Sequence, residues 1–112
     1  MYNKGMLPDN TFKNKVVLIT GGGTGLGKSM GEYLLKLGAK IIITSRKQNI
    51  LDETCKEFDK ISKGNTLALA GDVRNSSDVE KIIEAGYKKF KKIDHLINNA
   101  AGNFISPTER LS

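Results

Sequence analysis

The 112-residue sequence predicts an α/β domain on a doubly wound parallel sheet, its first four strands in the order 3-2-1-4 with helices on both faces. Short runs of β-branched residues alternate with longer stretches of helical period along the chain. The connections between the runs are too long for hairpins, which makes the strands parallel and the crossovers right-handed. Each segment rich in glycine, charge or asparagine also follows the carboxyl end of a predicted strand. Sheets of this kind bind ligands there, at the reversal between the first and fourth strands.

Residues 1–14 read as an extended lead-in, with Pro8 among polar residues. Lys15–Thr20, "KVVLIT", is a buried strand ended by glycines. Leu26, Met30, Tyr33, Leu34 and Leu37 share one face of a first helix, which Gly38 stops. Lys40–Ser45, "KIIITS", is the second strand. Leu51, Cys55, Phe58 and Ile61 mark the second helix, closed by Gly64, and Cys55 on that stripe reads as core filler rather than a reactive thiol. Thr66–Ala70, "TLALA", is the third strand. Ser77 and Glu80 read as a capping box ahead of Val79, Ile82, Ile83, Tyr87 and Phe90, the third helical face. His95–Asn98, "HLIN", is the fourth strand, with His95 in a structural role, and Asn99–Ser112 reads as loop. The outer edge of the fourth strand is expected to be unpaired, because a doubly wound sheet normally continues there.

Hydrophobic content of 38% and charged content of 27% suit one soluble globular domain. The longest apolar runs, Val16–Ile19 and Ile41–Ile43, are too short to span a bilayer. The single cysteine excludes an internal disulfide, argues against a metal cluster and fits a reducing compartment. Residues 1–12 lack the apolar segment of a signal peptide, and one lysine without arginine does not fit a mitochondrial presequence. The net charge of +6 is scattered and lacks interleaved aromatics, so no nucleic-acid partner is expected. Its densest run, Lys88–Lys92, "KKFKK", reads as a helix end where cations complement the dipole. A multiply phosphorylated small molecule would use the same surplus charge.

The functional question turns on Thr20–Ser29, "TGGGTGLGKS". Gly22 to Ser29 matches a phosphate loop, with Lys28 for the β- and γ-phosphates, Ser29 for magnesium and Asp72 as the distant acid. Thr20 to Gly27 equally reads T-G-x-x-x-G-x-G, a dinucleotide-binding turn. The strict G-x-G-x-x-G spacing is absent, so the loop alone leaves both readings open. The second strand favours the dinucleotide. It ends "TSRK", placing Arg46 nineteen residues after Gly27, where a dinucleotide domain meets the adenosine ribose. Arginine there suits the 2′-phosphate of NADP, which it grips bidentately, whereas an acid suits the free hydroxyl of NAD.

With that turn, "GDV" at Gly71–Val73 and "IDHLINNAAG" at Ile93–Gly102 resemble the short-chain dehydrogenase/reductase superfamily over residues 14–112. The resemblance implies a Rossmann-like domain in which Gly21, Gly22, Gly23, Thr24, Gly25 and Leu26 wrap the pyrophosphate. It implies that Arg46 takes the 2′-phosphate, that Asp72 hydrogen-bonds near the adenine beside Val73, and that the segment Asn98–Gly102, with Asn99 and Ala100, lines the inner ribose. Within the family, "NNAAGNFISPTERLS" at Asn98–Ser112 is similar to the NADPH-dependent 2,4-dienoyl-CoA reductases, and "MLPDNTF" at Met6–Phe12 to mitochondrial members of that branch. This implies hydride transfer from NADPH to a 2,4-dienoyl-CoA in unsaturated fatty-acid β-oxidation, leaving an enoyl-CoA. It also implies a mitochondrial location, with peroxisome and cytoplasm as alternatives, and a homo-oligomeric, tetrameric assembly.

By the same resemblance Arg46, Arg74, Phe104 and Ser112 touch the coenzyme A substrate. Asn103 follows the cofactor-lining loop and is a candidate amide donor to the negative charge that develops on a dienolate oxygen. Its alternative role is a turn-forming residue beside Gly102. The family's proton donor and lysine lie beyond the fourth strand, so the chain reads as the N-terminal portion of a longer enzyme, inactive and marginally stable by itself. Another NADP-linked carbonyl reductase, a non-catalytic dinucleotide-binding or assembly module, and a phosphate-loop NTPase are the competing readings.

Overall fold

The computed structural model describes residues 11–21, 23 and 25–99. Seven elements alternate along it: β1 (Val16–Thr20), α1 (Gly25–Lys36), β2 (Lys40–Thr44), α2 (Gln48–Ile61), β3 (Thr66–Ala68), α3 (Ser76–Phe90) and β4 (His95–Asn98). The strands form one sheet in the order β3-β2-β1-β4, and every pairing is parallel. Val16 to Thr20 stand opposite Lys40 to Thr44, and Val17 to Thr20 opposite His95 to Asn98. β1 therefore lies inside the sheet, and all five of its residues are buried.

Side-chain alternation divides the interior into two layers. Val17, Ile19, Ile41 and Ile43 point to one side and pack with Leu35, Leu51 and Phe58 of α1 and α2. Val16, Leu18 and Ile42 point to the other and meet Ile82, Phe90 and Ile93. A strand buried on both faces must be apolar throughout, which accounts for the unbroken runs in β1 and β2. Asp94 ties the lower end of the sheet. Its carboxylate accepts the Val16 N–H at 2.8 Å and pairs with Lys92 at 3.2 Å. Burial pushes the Asp94 carboxyl up, but the Val16 N–H and then Lys92 outweigh it and hold the group below its usual range.

The helical stripes differ from their sequence expectation. In α1 the buried positions are Gly27, Gly31 and Leu35, while Leu26 is 66% exposed. In α3 they are Val79, Ile82, Gly86 and Phe90, while Tyr87 is exposed. Glycine takes these places because the neighbours are close: a Cβ on Gly31 would stand 2.6 Å from the Phe58 ring, and one on Gly86 2.5 Å from Ile42. In α2 the buried stripe is Leu51, Thr54 and Phe58, and Cys55 beside it is half-buried. Burial raises the pKa of the Cys55 thiol, which lowers its reactivity.

The caps differ as well. Asn75, not Ser77, caps α3, its side chain accepting from the N–H groups of Ser77 at 2.9 Å and Asp78 at 3.2 Å. The helix starts one residue before the expected cap, so Ser77 lies inside it. Lys88 and Lys89 do fall in the last turn of α3, and Lys91 closes it in the left-handed conformation. Residues 11–14 form a turn instead of an extended lead, with the Phe12 N–H donating to the Leu37 carbonyl at 2.9 Å. β3 ends at Ala68, two residues short of its expected span. Among the described residues β3 and β4 are the sheet edges, and no helix is long and apolar enough to cross a membrane.

Thr44 is 1% exposed, and among the described residues its hydroxyl has no hydrogen-bond partner. A buried hydroxyl without a partner costs stability that an apolar side chain of the same shape does not. Thr44→Val is therefore expected to be neutral or to stabilise the fold by about 1 kcal/mol in urea unfolding, and a loss of that size would contradict the assignment.

Candidate functional site

The upper ends of β1 and β4 are joined by Thr20, the first residue of the T-G-x-x-x-G-x-G pattern, for which the sequence had suggested no role. Its hydroxyl donates to Asn98 Oδ1 at 2.9 Å and accepts the Asn99 N–H at 2.9 Å. Asn99 in turn reaches the Gly21 carbonyl through Nδ2 at 3.4 Å. The Gly21 N–H continues the ladder by donating to the Thr44 carbonyl at 2.8 Å. Gly21 is thus spent on framework at both polar groups, and what it offers a ligand is a bare Cα at φ 69° rather than an amide grip.

Gly23 lies against α2. It is buried, and a Cβ on it would stand 2.9 Å from Ile50 Cγ2. Its carbonyl accepts a hydrogen bond of 2.9 Å from the buried Thr54 hydroxyl. Gly25 opens α1 at φ +59°, with open space where a side chain would be. Lys28, the basic residue of the phosphate-loop fingerprint, pairs with Glu57 of α2 at 2.7 Å. That hydrogen bond raises the pKa of Lys28 and lowers that of Glu57. A lysine bound to α2 is not reaching over the glycine turn, which removes the central element of the phosphate-loop reading.

A cavity of about 260 Å³ opens between the two strand ends, lined by Gly21, Gly23, Ser45, Arg46, Lys47 and Ile50. Arg46 and Lys47 are both exposed there, at the start of α2. Lys47 at its N-cap makes no side-chain capping hydrogen bond, and the first turn holds no acidic residue. Two cations at an uncapped helix N-terminus form an electropositive wall, and the glycines opposite let an anion approach the backbone. Lys47 and Ser45 were readable beside Arg46 in "TSRK". Thr54 was less visible, because its spacing from Leu51 and Phe58 is that of an ordinary core position.

The next strand brings its own polar corner. The Gly71 N–H donates to the Ser45 carbonyl at 2.8 Å, so the ends of β2 and β3 lie side by side. Asp72 receives Arg74 bidentately, Nε to Oδ1 and Nη2 to Oδ2, each at 3.1 Å, and its own N–H donates to Asp78 at 2.9 Å. The Arg74 guanidinium, then the Arg74 N–H and more weakly Arg46, hold the Asp72 carboxyl below its usual range. Val73 is buried, 8% exposed, which leaves little of it for a ligand. Among the sequence candidates, then, Gly21, Gly23 and Arg46 line one cavity, Asp72 and Arg74 form a pair beside it, and Asn99 buttresses the turn from β4. Gly25 and Leu26 start α1 above them. Gly22, Thr24, Ala100, Asn103, Phe104 and Ser112 lie outside the described residues.

The family model for short chain dehydrogenases matches residues 15–112, the span that holds the glycine turn between β1 and α1, Arg46 after β2 and Asp72 after β3. The chain belongs to the short-chain dehydrogenase family. It is 41% identical over 111 residues to a Caenorhabditis elegans protein named probable 2,4-dienoyl-CoA reductase 3, a match covering 98% of this chain and 36% of the worm protein. A short chain dehydrogenase from Bacillus anthracis superposes with a TM-score of 0.76 at 48% identity, over 90% of this chain and 40% of that one. A 3-ketoacyl-(acyl-carrier-protein) reductase from Brucella melitensis, solved in complex with NADH, superposes with a TM-score of 0.71 at 35% identity, over 77% and 34% of the two chains. This short-chain dehydrogenase sequence thus spans little more than a third of its curated relative. The cavity at Arg46 lies at the carboxyl ends of β1 and β2, the side on which doubly wound sheets bind nucleotides.

Proposed function

We propose that this chain forms the cofactor-binding part of an NADPH-dependent 2,4-dienoyl-CoA reductase. The observation that carries the reading is the cavity in which Arg46 and Lys47, at the uncapped start of α2, face the bare backbone of Gly21 and Gly23. A volume of about 260 Å³ is below the range for whole drug-sized ligands and suits one segment of a dinucleotide, a phosphorylated ribose. The residues present fit that group. Arg46 offers a planar fork to a phosphate, Lys47 a second positive charge, and the glycines room for a diphosphate beside the chain. Asp72, held ionised by Arg74, accepts hydrogen bonds from an amino group such as that of adenine. Arg74, 58% exposed at its side chain, keeps donors to spare for a coenzyme A phosphate.

When bound, the nicotinamide cofactor supplies the hydride. Phe104 as an apolar wall, Ser112 as a small polar contact and Asn103 as the donor to the thioester oxygen complete the proposal from the sequence, with Gly22, Thr24 and Ala100 extending the cofactor contacts. The substrate class is supported by the name of the worm relative, probable 2,4-dienoyl-CoA reductase 3. Mitochondrial placement and homo-oligomeric assembly rest on the sequence resemblance.

The test is turnover of the complete gene product, following NADPH absorbance and identifying the acyl product by mass. Reduction of a 2,4-dienoyl-CoA with little reduction of ketones is the expected result. Ketone reduction without dienoyl-CoA reduction would make the protein a carbonyl reductase and overturn the assignment.

A further inference from the structure

We infer that Thr54 is a positioning residue for the diphosphate end of the cofactor site, an inference that rests on the dinucleotide reading above. Thr54 belongs to α2 and is 2% exposed. It does not line the cavity at Arg46. Its hydroxyl reaches across 31 residues of sequence to donate to the Gly23 carbonyl at 2.9 Å. Gly23 does line the cavity, so a strong acceptor stands in the wall of a site meant for an anion. Turned toward α2 and satisfied by Thr54, that carbonyl is kept from presenting its negative end to a diphosphate. Without the hydroxyl it is left buried and unpaired, or it turns toward solvent and the ligand, and either outcome weakens anion binding.

The same stripe of α2 holds the glycine turn and α1 at further points. Ile50 packs on Gly23, Glu57 pairs with Lys28, and Phe58 fills the space left by Gly31. The residues just ahead of α2 carry Arg46 and Lys47. α2 is thus one rigid brace between two anion subsites: Arg46 at its entry acts on the ribose phosphate, and Thr54 in its body on the diphosphate. The two contributions separate chemically, because NADH lacks the 2′-phosphate but keeps the diphosphate. Thr54 should matter equally for both cofactors, whereas Arg46 should matter for NADPH alone.

The experiment measures the dissociation constants of NADPH and NADH for the complete gene product carrying Thr54→Val, Thr54→Ser or no substitution. Thr54→Val keeps the shape and removes the donor. It is expected to weaken both cofactors by the same factor, about five- to tenfold, the effect of one hydrogen bond. Thr54→Ser, which keeps the hydroxyl, should return both to within about twofold of the unsubstituted protein. Affinities unchanged in Thr54→Val, a loss confined to NADPH, or a loss that Thr54→Ser does not restore would each overturn the inference. Should Thr54→Val unfold, Thr54→Ala, which introduces no new contact, provides the same comparison. If the unsubstituted protein binds neither cofactor, the dinucleotide reading itself fails, a different result from a Thr54→Val variant that binds like its parent.

Discussion

Arg46→Asp is expected to lower kcat/KM with NADPH by about 100-fold while leaving the unfolding midpoint nearly unchanged. The first half follows from the chemistry of the guanidinium. Charge-assisted hydrogen bonds contribute about 1.5–3 kcal/mol each, and a factor of 100 is about 2.7 kcal/mol, so one bidentate contact is sufficient. The aspartate also places a negative charge where the 2′-phosphate would lie and offers an acceptor to a free ribose hydroxyl, so kcat/KM with NADH should rise or hold. The second half follows from exposure. Arg46 is on the surface and carries no hydrogen bond or ion pair among those described for the fold, and surface substitutions of that kind stay within about 0.5 kcal/mol. Arg46→Lys keeps the charge but not the planar fork and should lose about tenfold with NADPH. Steady-state kinetics with both cofactors checks all three. An NADPH-to-NADH ratio unmoved by Arg46→Asp would remove the arginine from the site.

The strands were legible because burial on both faces demands continuous β-branched runs, and "KVVLIT" and "KIIITS" have no other reading. Connection length and crossover handedness made the strands parallel, and the order 3-2-1-4 followed from reading them as the first half of a doubly wound sheet. What could not be read was which residues face inward on the helices. Periodicity weighs hydrophobic side chains, so it selected Leu26 and Tyr87, whereas the tightest contacts belong to Gly27, Gly31 and Gly86. A glycine adds nothing to an apolar stripe, and its value is visible only once the partner backbone is near. The cap of α3 was missed for a related reason: Asn75 and Ser77 are both good capping residues, and only the path of the chain from Asp72 decides between them. In the site, charged residues beside glycines were conspicuous. Thr20 was visible in the fingerprint but its role was not, and Thr54 was hidden altogether, since each works through a hydrogen bond to residues 31 or more positions away.

The shared point of the helix and site corrections is Gly27, and its substitution should have the largest effect on the fold. A Cβ at this position would stand 2.4 Å from the Gly21 carbonyl oxygen and 2.7 Å from Asn99 Nδ2. The closest of these atoms is backbone, and its N–H neighbour is fixed in the sheet through Thr44, so the strain cannot be relieved by turning a side chain. Alanine in a helix is worth about 1 kcal/mol over glycine. Overpacking costs about 1–3 kcal/mol and more where the backbone must shift, so Gly27→Ala is expected to destabilise the fold by about 3 kcal/mol. The controls separate sterics from helix propensity. The atoms nearest a Cβ on Gly31 belong to the Phe58 and Ile19 side chains rather than to backbone, so Gly31→Ala should cost about 1–2 kcal/mol. Gly25→Ala meets nothing within 4 Å but must adopt φ +59°, and should cost about 1 kcal/mol. Because the displaced atoms belong to Gly21 and Asn99, Gly27→Ala should also weaken NADPH binding at temperatures where it remains folded. Urea unfolding and cofactor titration on the three alanine variants test the ranking. A Gly27→Ala protein as stable as its parent would mean that β1, α1 and β4 do not meet at this point.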